Sequence, residues 1–147
     1  MRLAARSAAP AVALWVATTA LLAGCGTNVS LDEPIEARTW RLTQLNGQEV
    51  IWGGDPQRDP QLRFDGTRVS GFGGCNQLSG PYQRTVGTLK LGLLASTRMA
   101  CVDQGRTALE MNFLSALQMT TGYRKAGRLL TLTDSSGQTL AVLDSGR

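Results

Sequence analysis

Short runs in which apolar and polar residues alternate, each ending at a glycine-bearing turn, occupy most of this chain and confine it to a meandering antiparallel sheet. Leu62-Arg63-Phe64, Asp65-Gly66 and Thr67-Arg68-Val69-Ser70 read as strand, two-residue type I′ turn and strand. Upstream, Trp40 and Leu42 alternate with Thr39, Arg41 and Thr43, and Asn46-Gly47 turns the chain into a second strand from Glu49 to Trp52. Gly53 to Pro60, with two glycines and two prolines, is a loop. Pro81 to Arg84 and Thr88 to Leu93 flank Val86-Gly87, with Leu89, Leu91 and Leu93 on one face and Lys90 on the other. Three further strands, Tyr123 to Ala126, Arg128 to Thr133 and Thr139 to Leu143, are joined by turns at Ala126-Gly127 and Ser135-Ser136-Gly137.

One segment changes period. From Asp103 to Thr121 the residues Leu109, Phe113, Ala116, Leu117 and Thr120 recur at three and four, the stripe of an amphipathic helix. Thr107 with Glu110 three residues on has the form of a capping box, Asp103 is an alternative N-cap, and Gly122 suits the helix end. The pattern predicts an α+β domain: a small curled antiparallel β-sheet, barrel-like with about eight strands, and one packed amphipathic helix. A chain of 147 residues has room for one such domain, and 42% hydrophobic against 18% charged residues is a composition that folds.

The start of the chain has a different character. Arg2 and Arg6 precede an apolar stretch from Ala8 to Leu22, the pattern of a secretion signal, and Leu22-Ala23-Gly24-Cys25 resembles the lipobox of bacterial lipoproteins. That resemblance implies cleavage before Cys25 and acylation of Cys25 with palmitate-class chains, which hold a protein on a membrane. Gly26 stands where lipoproteins retained at the inner membrane usually carry Asp. The expected address is therefore the cell envelope, lipid-anchored at the periplasmic face of the outer membrane. The expected layout is a lipoprotein signal peptide over 1–24, the lipidated cysteine and a polar tether over 25–37, and the domain over 38–144. Loss of Arg2 and Arg6 lowers the formal charge from +4 by two, and with 5% aromatic residues the domain offers no nucleic-acid surface. Arg124, Lys125 and Arg128 cluster as a solvated hairpin end.

Cys75 and Cys101 remain, an even pair in an exported chain, and are expected to form a disulfide. The chain contains no histidine, which excludes Ser-His-Asp and Cys-His catalysis and leaves two thiols two ligands short of a zinc site. Around these cysteines run Val69-Ser70-Gly71-Phe72-Gly73-Gly74-Cys75-Asn76, then Gly80-Pro81-Tyr82, then Ser96-Thr97-Arg98-Met99-Ala100-Cys101, then Glu110 in the helix. Together these blocks resemble the META domain family, also called HslJ-like, over Trp40 to about Val142. The resemblance implies a small barrel-like antiparallel domain with a packed helix. It also implies envelope lipoproteins linked to heat shock, antibiotic tolerance and envelope stress, and no assigned reaction.

The residues of these blocks have structural uses. Val69, Gly71, Gly73 and Cys75 would share one strand face, where glycines permit a bulge, strong curvature or close approach of another backbone, and Gly74 and Gly80 are further structural residues of the family pattern. Asn76 suits a left-handed turn position or bonds to neighbouring main chain. Thr97, Arg98 and Met99 would bring Cys101 beside Cys75, and Arg98 would pair with Glu110 across the helix start. Gly71 to Gly74 lacks the Gly-Lys-Ser/Thr of a phosphate loop, and Asp65, Asp103, Glu110 and Asp134 all have turn or cap positions in place of catalytic ones. Met99, Met111 and Met119 read as core filling, Trp40 as core, and Trp52 beside the Gly53 to Pro60 loop as a contact residue.

These readings describe a non-catalytic lipoprotein without cofactor or metal. It would be monomeric, membrane-bound through its anchor, and partnered by an envelope protein through its surface. The alternative is a binder of a lipid or other apolar ligand in the barrel interior, lined by Leu89, Leu91, Leu93, Phe113, Leu117, Leu130 and Leu132.

Overall fold

A computed structural model describes residues 33–51 and 53–146. Cys25 and Trp52 lie outside the described residues. The strands are β1 (Thr39–Leu45), β2 (Gln48–Glu49), β3 (Gln61–Asp65), β4 (Arg68–Phe72), β5 (Gln77–Thr85), β6 (Thr88–Leu91), β7 (Ala95–Ser96), β8 (Gly122–Ala126), β9 (Leu129–Thr133) and β10 (Thr139–Asp144). The one helix described is α1 (Gln104–Met119). Eight strands close into an antiparallel barrel in the order β1-β3-β4-β5-β6-β8-β9-β10, the last pairing back to the first through Leu42 opposite Leu143. The two short strands stand outside the ring, β2 on β1 and β7 on β5. The α+β barrel-like expectation of about eight strands holds, and closure removes the exposed edges that such short strands otherwise present.

Register defines two ends. The turns after β3, β5 and β8, the residues before β1 and those after β10 lie at one end. The turns after β1 and β9, the Gly73–Asn76 segment and α1 lie at the other. Each end has a stopper. At the helix end, Phe113, Ala116 and Leu117 are buried from one stripe of α1, which packs on β1, β6 and β10. At the opposite end, Ile35 is fully buried, its carbonyl accepts the Trp40 indole N–H at 2.7 Å, and Glu36 bridges to Phe64. Within residues 33–37, assigned on composition to the tether, Ile35 is buried and Glu36 half-buried against the barrel, while Glu33, Pro34 and Ala37 stay exposed. Between the stoppers lie Trp40, Phe64, Leu89, Tyr123, Leu130 and Leu132, each at most 1% exposed.

Local chemistry explains the helix limits. Asp103 is the N-cap, accepting the Gly105 N–H at 2.7 Å, so the alternative cap is the one used and the Thr107–Glu110 capping box does not form. Thr107 instead donates its hydroxyl to the Asp103 carbonyl at 3.2 Å. The helix stops at Thr120, whose extended backbone (ψ 125°) breaks the spiral two residues before Gly122, and Gly122 opens β8. No helix among the described residues is long and apolar enough to cross a membrane.

Three further sequence expectations fail. Leu93 is 87% exposed because β6 ends at Leu91. Gly92 donates to the Pro81 carbonyl, and beyond it the alternation no longer has a sheet to follow. The second hairpin strand is only Gln48–Glu49. Met99, Met111 and Met119 are 64%, 66% and 50% exposed, so they do not fill the core.

Candidate functional site

The motif residues meet at the helix end. Glu110 stands on the second turn of α1, on the same stripe as Phe113 and Leu117, and is 8% exposed. Its Oε2 accepts the backbone N–H of Cys75 at 2.9 Å and of Asn76 at 2.6 Å, and its Oε1 accepts the Asn76 side-chain amide at 2.8 Å. Asn76 Oδ1 in turn accepts the Met99 N–H at 2.7 Å and the Thr97 hydroxyl at 2.9 Å. Cys75 and Cys101 form the disulfide, with Cα atoms 5.8 Å apart, close to the usual separation for such a bond. The helix, the Gly73–Asn76 turn and the Thr97–Cys101 segment are thus fastened by charge-assisted hydrogen bonds and one covalent link.

The glycines make this possible. Gly74 has φ +123°, a backbone conformation other residues rarely adopt, and a Cβ on Gly73 would stand 2.7 Å from Glu110 Oε2. Gly71 and Gly80 are sites of close approach, to the Gln61 carbonyl and to the Leu93–Leu94 backbone. The shared face expected for Val69, Gly71, Gly73 and Cys75 ends with β4 at Phe72, since the turn at Gly74 breaks the alternation. Asn76 fulfils its main-chain role and has no left-handed conformation. Glu110 is neither a cap nor a partner of Arg98: among the described residues no ion pair joins them, and Arg98 is exposed. Met99 contributes through its backbone, its thioether being exposed.

Sequence reasoning missed Arg106, whose guanidinium donates to the Gly74 and Arg58 carbonyls, both at 3.2 Å, binding the Gly53–Pro60 loop to the turn. Buried Asp59 secures the same loop by accepting the Gly53 N–H at 3.2 Å.

A second polar group lies at the opposite end, and none of it was read from the sequence. The Glu36 carboxylate accepts from the Tyr82 hydroxyl at 3.0 Å and from Arg84 Nε at 3.2 Å, while Arg84 Nη1 donates to the Tyr123 hydroxyl at 2.8 Å. Lys125, 2% exposed, pairs with Glu33. Burial works against the Glu36 charge, yet its own backbone N–H, the Tyr82 hydroxyl and Arg84 together hold its carboxyl below the ordinary range. Burial, then the Glu36 carboxylate, pushes the Tyr82 hydroxyl up to about 12. The bond from Lys125 holds Glu33 low as well. The parity of β8 carried the signal, since the alternation that puts Tyr123 inside puts Lys125 inside too. The Arg124–Lys125–Arg128 cluster is thus divided: Lys125 is buried, Arg128 pairs with Asp144 at 2.9 Å, and Arg124 is exposed.

What these groups do is hold the molecule together. Both Glu110 oxygens carry hydrogen bonds, the thiols are joined, and among the described residues no set of three His, Cys, Asp or Glu side chains is placed to hold a metal. A cleft of about 550 Å³ on the outside of β3, β4 and β5 is lined by Gln61, Arg63, Ser70, Gln77 and Ser79, and contains no nucleophile beside a base.

The geometry defines a class: a small closed antiparallel barrel, stoppered at one end by a single helix that a disulfide and a buried glutamate fasten to the sheet. The chain belongs to the META domain family, whose model matches residues 33–146. Three solved structures share the fold. One NMR structure is 24% identical with a TM-score of 0.60, covering 76% of this chain and 91% of its own. An NMR structure of a protein from Burkholderia xenovorans is 29% identical with a TM-score of 0.59, covering 77% and 85%. A crystal structure of a DUF4847 family protein from Bacteroides vulgatus is 13% identical with a TM-score of 0.54, covering 76% and 94%. No curated protein matches the chain significantly.

Proposed function

We propose that this protein is a non-catalytic lipoprotein of the cell envelope, anchored through Cys25 at the outer membrane, whose domain is a docking module for an envelope protein. The observation that carries the docking role is the contrast at the helix end. Its polar side chains Asn76, Thr97 and Glu110 are engaged internally, while Ile51, Met99, Val102 and Met111 are 64% exposed or more around the stapled frame. Apolar side chains displayed on a rigid base suit a protein contact, since little order is lost when they are covered. The second reading, an apolar ligand inside the barrel, has less support. Trp40, Phe64, Phe113, Leu117, Leu130 and Leu132 are all fully buried, and none lines any of the five clefts described.

Anchoring is tested with Cys25→Ala. The variant is expected to remain an unprocessed precursor that takes up no alkyne-palmitate label; normal processing and labelling would refute the anchor. Docking is tested by placing a photo-crosslinking residue at Ile51 or Met111 in cells. Discrete adducts from these positions and none from Lys90, on the barrel wall, are expected, and equal patterns would refute a specific surface.

A further inference from the structure

Both chain termini of the described domain lie at the end opposite the helix, and that end is rich in basic side chains. Arg84, Lys125 and Arg128 are paired there, with Glu36, Glu33 and Asp144 respectively. Arg38, Arg63, Arg68 and Arg124 are all exposed, and among the described residues no carboxylate lies within ion-pair distance of them. Arg38 and Arg68 stand at the rim ends of β1 and β4, and Arg63 and Arg124 project outward from β3 and β8 two residues short of the rim, so the four are spread around the stopper end and do not form one stripe. Asp65, opposite Arg68 in register, is the remaining acid of this rim.

The residues that lead into β1 lie at the same end, with Ile35 buried in the barrel mouth. Glu33 is held by Lys125, and seven residues lie between it and Cys25, a span of at most about 28 Å when fully extended. A tether that short keeps the rim at an effective concentration on the order of millimolar relative to the bilayer. At that concentration even weak attraction between arginines and anionic headgroups decides the orientation.

We propose that this arginine rim docks on the anionic phospholipid headgroups of the membrane that holds the anchor. The barrel then stands on the bilayer with its helix end outward. The inference rests on the anchored reading above and adds to it a lipid class, a contact surface and an orientation. It also explains why the stopper is built from the first residues of the domain: the segment that leads to the membrane is locked to the face that meets it.

The test is hydrogen exchange on the acylated protein in nanodiscs of phosphatidylcholine alone or with phosphatidylglycerol. Amides of β3, β4 and β8 are expected to exchange at least about fivefold more slowly on the anionic discs, with α1 unchanged, and the difference is expected to vanish in high salt as the charges are screened. The triple variant R63Q/R68Q/R124Q should lose the protection, whereas R58Q/K90Q/R98Q, with the same net charge, should keep it. Equal exchange on both lipids, or equal loss in both variants, would overturn the proposal. If Cys25 carries no acyl chain, the protein will not be retained in nanodiscs of phosphatidylcholine alone, and the anchored reading fails separately. The rim is then read by co-sedimentation of the unacylated chain with phosphatidylglycerol vesicles. Binding that falls about tenfold in R63Q/R68Q/R124Q alone supports the surface, and no binding by the unaltered chain overturns it.

Discussion

Glu110 shows how much one side chain contributes when it is the meeting point of three segments. Its carboxylate is buried against three donors, and hydrogen bonds to charged groups contribute about 1.5–3 kcal/mol each, net of the bonds to water they replace. Glu110→Gln, which puts an amide against the Asn76 amide or the backbone donors, is expected to destabilise the domain by about 2–3 kcal/mol in urea unfolding, while Arg98→Ala changes little. Gly73→Ala should cost a similar amount, because the new methyl group meets the same carboxylate. For the disulfide, Cys75→Ser and Cys101→Ser are each expected to lose about 3–4 kcal/mol, and the double variant scarcely more. Additive losses would mean the two thiols act separately. The importance of these residues was legible as a pattern of glycine, cysteine and asparagine, but the bonds were not. Glu110 lies 34 residues from Asn76 in sequence, and no local rule pairs positions so far apart. The cap at Asp103 follows from a contact two residues long, and so it could be read.

At the scale of elements, the strands with intact alternation were placed from sequence and those that lose it were not. β3, β4 and β9 follow their runs, because the pleat alone decides which side chains face inward. Two-residue strands such as β7 have too few positions to show a period. The stopper before β1 was read as tether because its one large apolar residue, Ile35, stands among acids, and those acids proved to face Arg84 and Lys125. This element makes stability depend on pH at both extremes. The Glu36 carboxyl is lowered in the folded state, so its contribution is present above its unfolded value of about 4.5 and is lost as pH falls through the folded value. Tyr82 is raised, so its contribution is present below about 10 and is lost as pH climbs toward 12. Urea midpoints measured across pH should therefore decline on both sides. Glu36→Gln should flatten the acid limb and Tyr82→Phe the alkaline one. An acid limb unchanged in Glu36→Gln would assign that decline to other carboxylates.

For the whole molecule, a barrel-like sheet of about eight strands with one packed helix could be read, but which strands close the ring could not, because that depends on a pairing between opposite ends of the described chain. Arg41 faces Asp144 across β1 and β10. Contacts of that span make folding slow, since a long loop must close before the pairing stabilises anything. Refolding is expected in the millisecond-to-second range, with variants in the β1–β10 seam, such as Leu143→Ala, raising the unfolding rate more than they slow refolding. A seam that forms early would show the reverse partition in a chevron plot. The same seam makes completeness a condition of being folded. A polypeptide ended by premature termination before Thr139 lacks β10, leaves β1 and β9 each with an unpaired edge, and exposes the apolar faces that Leu140 and Leu143 cover. Proteases act on such open chains, so a polypeptide that stops short of β10 is expected to be degraded faster than one that contains it.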